Sequence, residues 1–176
     1  VNVPLKDGID DKTFVGLFKD IVGTACKNFY PDVVVLQCGA DSIRSDKLGW
    51  FNVSIEGHCN CLRFVRDLRI PLIVVGGGGY SVYNVARCWA TETAALVGEL
   101  VPLVVPGCRF SNIYGPEYHM TLGNSYQTNM NTVNYVNRIR RYILNNLCKL
   151  PTAYSVRSLI TEKGIQSEID EDIFEE

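Results

Sequence analysis

The spacing of apolar residues changes several times along this chain, and each change marks an element. Phe14, Phe18, Ile21, Val22, Ala25 and Phe29 recur every three or four positions, the period of one helix face. Asp10 stands just before them as a cap, and Pro31 stops the helix. Residues 33–37, Val-Val-Val-Leu-Gln, form a continuous β-branched run, which predicts a strand buried on both faces. Helical spacing returns from Ser54, with Cys61, Leu62, Val65 and Leu68 on one face, until Ile70-Pro71 ends it. A second buried strand is expected at 72–75. After 76–79, Gly-Gly-Gly-Gly, a third helix should bury Val82, Val85, Ala86, Trp89, Thr93, Leu96 and Val97 and close near Gly98. Residues 101–130 carry three prolines with several Asn and Ser and read as irregular surface. A last helix near 131–149 should bury Val136, Ile139, Ile143, Leu147 and the following Leu150, leaving Arg138, Arg140 and Arg141 as solvated charge.

Strand, helix and strand in this order make a βαβ unit with parallel strands, so the class is α/β. Composition agrees: 47% of the 176 residues are hydrophobic and 20% charged, enough to bury one core. No apolar run approaches the roughly 20 residues that span a bilayer, and Val1-Asn2-Val3-Pro4 has no signal-peptide pattern, so no membrane partner is expected. A start on Val inside an extended segment suggests a piece of a longer, intracellular chain. Seven cysteines, an odd number set in apolar patterns, suit reduced buried thiols, and Cys59-x-Cys61 lacks the spacing and second pair of a structural zinc site. Six acidic residues among the last nine offset a net positive remainder, and no basic stripe suggests nucleic acid.

Ligands of parallel sheets sit beyond the carboxyl ends of the strands. Both unusual loops fall there. The first, Cys38-Gly39-Ala40-Asp41-Ser42, presents a carboxylate, and the second, 76–79 followed by Tyr80, presents a phenol. Four successive glycines imply close approach to something. A phosphate cradle lacks the Gly-Lys-Ser/Thr ending, and a packing turn stays open as an alternative. Asp41 alone could equally cap a turn; paired with Tyr80 it suits a metal ligand beside a hydrogen-bond donor. His119 has no convincing partner. His58, near the start of the crossover helix, is read as a structural or surface histidine rather than a ligand.

Three segments, Val1 to Asp11 (Val-Asn-Val-Pro-Leu-Lys-Asp-Gly-Ile-Asp-Asp), Val35 to Ser42 (Val-Leu-Gln-Cys-Gly-Ala-Asp-Ser), and Gly76 to Tyr80 with Asn84 to Trp89 (Asn-Val-Ala-Arg-Cys-Trp), closely resemble the class I histone deacetylases in order and spacing. The resemblance covers about residues 1–150, the C-terminal part of that family's catalytic domain, with 151–176 as a polar to acidic tail. It implies an arginase-like α/β fold around a parallel sheet with flanking helices. It implies lysine deacetylation with Zn²⁺ as cofactor, Asp41 as metal ligand and Tyr80 as the catalytic phenol. Gly78 and Gly79 would line the acetyl-lysine channel, with Leu48 at its rim, and His58 receives no role. The family's other ligands, in an Asp-x-His motif, and its His-His pair are absent, so the chain alone is expected to be inactive. The implied partners are acetylated histone tails and corepressor subunits, in the nucleus. Inositol phosphate is doubtful, because Lys47 and Tyr83 stand where the family has two arginines. Trp50 departs from the family beside the rim. A truncated, non-catalytic interaction module is the alternative.

Overall fold

The computed structural model describes residues 1–123 and 125–153; the acidic terminus lies outside them. Helix α1, Asp11–Phe29, begins where Asp10 accepts from the Thr13 N–H, and it ends on Tyr30 in the left-handed region. Strand β1, Val34–Gln37, leads through a short 3-10 turn, Ala40–Ser42, to helix α2, Ile55–Asp67. Ser54 caps α2 by accepting from Gly57 N, while Asp11 of α1 accepts both the N–H and the hydroxyl of Ser54. Two helix starts are thereby fastened together. Strand β2, Leu72–Val75, lies parallel to β1 with Val34 opposite Leu72, and helix α3, Val82–Val97, follows and closes on Gly98. Helix α4, Val133–Leu147, packs on α1.

These elements build two apolar clusters. Ile9, Leu17, Ile21 and Val53 meet Val136, Ile139, Ile143 and Leu147 between α1 and α4. Ala40, Ile43, Ile55, Cys59, Val85, Cys88 and Ala95 pack where α2, α3 and the 3-10 turn converge. All seven cysteines are free thiols, four of them buried.

Three expectations need correction. The strands are not buried on both faces: alternate residues stay open, with Val35 62% and Ile73 53% exposed. Periodicity measures apolar character and cannot supply the covering layer, and the described residues contain only these two strands. Helix α3 is rotated from the expected stripe, since Val82, Ala86, Thr93 and Val97 are exposed whereas Ser81, Asn84, Val85, Cys88, Glu92 and Ala95 are buried. The polar partners reach this buried face from α2 and the β1 loop, which outweighs the preference of apolar residues for the inside. On α4, Leu150 lies beyond the helix and is exposed, and Arg140 is no free charge, because it pairs with Asp20 of α1 at 3.0 Å.

Candidate functional site

The two carboxyl-end loops meet. Gly78 O accepts the Ala40 N–H at 2.6 Å, so the glycine segment lies directly against the turn that carries Asp41. A Cβ on Gly78 would run into the Asp41 carboxylate, and Gly79 takes a φ of 141°, where side chains are strained. Gly76 is covered by the Trp89 ring, whose Nε1 donates to Cys38 O at 2.8 Å. The close approach anticipated for the four glycines is therefore made to the chain itself, chiefly to the Asp41 loop and Trp89.

Asp46 joins the loops. Its Oδ1 accepts the N–H groups of Leu48 and Gly49 at 2.9 and 3.1 Å, and its Oδ2 accepts those of Tyr80 and Ser81 at 2.7 and 3.1 Å. Burial alone would raise this carboxyl, but the four donors outweigh it and hold its pKa below the ordinary value. The order of the 45–49 loop and the start of α3 thus rests on one anion.

Between the loops opens a cleft of about 410 Å³ lined by Asp7, Asp41, Ser42, Leu48, Gly49, Trp50, Phe51 and Tyr80. The structure brings Asp41, Tyr80 and Leu48 into this single space. Gly78 supports Asp41 from behind, and Gly79 sits against Ala40 and Val85. Tyr80 is 46% exposed and Leu48 and Trp50 stand at the open side. Trp50 also anchors the neighbourhood through its carbonyl, which accepts from Gly8 N and Gln127 Nε2, both at 2.7 Å. Lys47 and Tyr83 are exposed, and Arg87 lies 6.0 Å over the Tyr83 ring.

As a metal site the cleft is incomplete by itself. Its lining offers the carboxylates of Asp7 and Asp41 and no imidazole or thiol, whereas zinc takes about three protein ligands, usually with nitrogen or sulfur among them. This donor set supplies at most two oxygen ligands, from Asp7 and Asp41. His119 does not reach the cleft; it lines a smaller cavity with Tyr83, Arg87 and Tyr114.

His58 is buried, as a structural histidine would be. Its Nε2 lies 2.7 Å from Ser42 Oγ and its Nδ1 3.0 Å from Glu92 Oε1. Among the described residues, His58, Cys88 and Glu92 form the one group of metal-ligating side chains close enough to share an ion, with ligand atoms within 4.8 Å of one another. Sequence reading missed Glu92 and Asp46. For Glu92 a signal existed: Ser81, Asn84, Cys88, Glu92 and Ala95 follow each other at helical spacing, a stripe of small and polar residues beside the more apolar one.

Comparison with known proteins places the chain among relatives. A family model described as the histone deacetylase domain matches residues 1–96. Histone deacetylase 1 of Oryza sativa subsp. japonica is 44% identical over 171 residues, which cover 97% of this chain and 33% of that protein. Human histone deacetylase 1 is 41% identical over 157 residues, 89% of this chain and 33% of the relative. Histone deacetylase 9 of Arabidopsis thaliana is 43% identical over 157 residues, 89% and 37% respectively. The chain spans about a third of the length of these curated relatives.

Proposed function

This chain belongs to the histone deacetylase family, and from that premise we propose that it forms the C-terminal part of a zinc-dependent lysine deacetylase acting on acetylated histone tails. The observation that carries the reading is the single cleft shared by Asp41 and Tyr80 at the carboxyl ends of two parallel strands. Asp41 serves as one metal ligand, and the remaining ligands and the proton-shuttling imidazoles come from outside these 176 residues. A bound zinc supplies Lewis acidity toward the amide carbonyl and acidifies its water. Tyr80 donates its phenolic proton in a hydrogen bond to the oxyanion that develops on that carbonyl, a contact typically worth about 2.7–4 kcal/mol. Gly78 and Gly79 keep the channel floor free of side chains, and Leu48, with Trp50 beside it, shapes the entrance around the lysine stem. Residues 1–150 act as the domain portion and 151–176 as a tail. Residence in the nucleus within corepressor assemblies follows from the family reading, while Lys47 and Tyr83 make a weak inositol phosphate site.

The test is metal analysis and turnover in a protein that joins this chain to the upstream residues its relatives have. Tyr80→Phe should lower turnover about 10²- to 10³-fold with zinc content unchanged. Asp41→Ala should lose zinc and activity together. Zinc retained in full by Asp41→Ala, or lost from Tyr80→Phe, would refute these two roles.

A second reading, a non-catalytic interaction module, is favoured by one observation, the open apolar sheet face at Val35 and Ile73. It predicts no deacetylation from any natural form of the protein that contains this chain.

A further inference from the structure

A line of side chains runs from the cleft into the interior and is not used by the deacetylase reading. Ser42 lines the cleft; its Oγ lies 2.7 Å from His58 Nε2, and His58 Nδ1 lies 3.0 Å from Glu92 Oε1. His58 comes from α2 and Glu92 from α3, and both are buried, while Ser42 is half-buried on the turn after β1. Proton positions follow from the donors and acceptors. A carboxylate can only accept, so the imidazole N–H belongs on Nδ1; Nε2 then carries the lone pair, and the Ser42 hydroxyl donates to it. The Cys88 thiol, 3.7 Å from the same Glu92 oxygen and kept protonated by burial, adds a second donor that holds the carboxylate in place. This is the arrangement in which an imidazole takes the proton of a hydroxyl as that hydroxyl attacks, with the third residue fixing the tautomer.

We infer that Ser42, His58 and Glu92 form a second reactive centre, a metal-independent serine nucleophile toward activated esters and phosphonyl electrophiles that enter the cleft. In ester cleavage, Ser42 Oγ bonds to the carbonyl carbon and its proton passes to His58 Nε2. The alcohol departs with that proton, leaving acyl-Ser42. Water then attacks the acyl group, giving a proton to Nε2 that returns to Ser42 as the carboxylic acid leaves. Glu92 faces the transient imidazolium throughout, and Tyr80 brings an O–H donor to the same cleft.

The test is labelling of the protein that joins this chain to the upstream residues its relatives have, with an alkyl fluorophosphonate in excess EDTA, read by intact mass and peptide mapping. The expected result is one phosphonyl group on Ser42, formed as Oγ bonds to phosphorus and fluoride leaves. Ser42→Ala should abolish the adduct, and His58→Gln and Glu92→Gln should slow it by about 10³-fold or more. Folding of each variant is checked by circular dichroism, and chain unfolded in urea serves as a reference that needs no substitution. Absence of a Ser42 adduct on the folded native chain would overturn the inference. So would an adduct that forms as fast in urea, or one that folded His58→Gln forms at the native rate. Because the chelator excludes metal, failure of this labelling leaves the Asp41 and Tyr80 roles untouched.

Discussion

The Asp46 carboxylate accepts four backbone N–H groups, two from its own loop and two from the start of α3. An amide in its place would turn an N–H₂ toward backbone donors and remove the charge from every bond. Asp46→Asn should therefore cost about 2–4 kcal/mol at pH 7, measured by urea unfolding. Its pKa is depressed in the fold, so the stability it contributes is present above the ordinary value of 3.8 and is lost as pH falls below it. The gap between native chain and variant should accordingly narrow when the same melts are run at pH 3. Neither Asp46 nor Glu92 was legible in the sequence as a site residue, because His58 lies 34 positions from Glu92, and the Asp46 partners are main-chain atoms without identity, two of them 34 and 35 positions away. Asp41 and Tyr80 were legible as candidates because each lies in the loop that follows the carboxyl end of a strand, where loop chemistry converges.

Among elements, the helices and strands differ in how complete their surroundings are. Leu62 on α2 is almost wholly buried, whereas Val35 on β1 and Ile73 on β2 point away from the packed layer. Leu62→Ala should cost about 2–5 kcal/mol through lost contacts and a cavity. Val35→Thr and Ile73→Thr should change the stability of this chain by no more than about 0.5 kcal/mol. Chemical denaturation of the three variants checks the contrast, and large losses at both threonine variants would mean that the face is covered in solution. The rotation of α3 belongs to this scale too. Its apolar stripe marks the surface that prefers burial, yet the chain turns Asn84 and Glu92 inward because the β1 loop and α2 supply partners for them, and Cys88 beside them bonds to Glu92. Single-chain periodicity has no access to that exchange.

Across the whole molecule, the distribution of thiols and donors decides its solution chemistry. Burial pushes Cys38, Cys59 and Cys61 up to about 12, with Glu92 adding to it at Cys38 and the nearby charge of Glu56 at Cys59, whereas Cys108 and Cys148 are exposed. A maleimide at neutral pH should modify Cys108 and Cys148 first and reach Cys38, Cys59 and Cys61 only on unfolding, which peptide mapping would resolve. After dialysis against buffer, the 176-residue chain should hold far less than one equivalent of zinc, because its cleft has no imidazole or thiol beside Asp41 and the buried His58, Cys88 and Glu92 are already hydrogen-bonded to Ser42 and to one another. Stoichiometric zinc, measured by elemental analysis, would contradict that account. What the sequence determined by itself is local: where each helix and strand begins and ends, through caps, prolines and glycines that act within a few residues, and which loops carry a carboxylate and a phenol. Only the tertiary structure decided which faces are covered, that Asp46 clamps two loops, and that Ser42, His58 and Glu92 fall into line. Those outcomes depend on distances between elements far apart in the chain, and no spacing along a linear sequence encodes a distance through space.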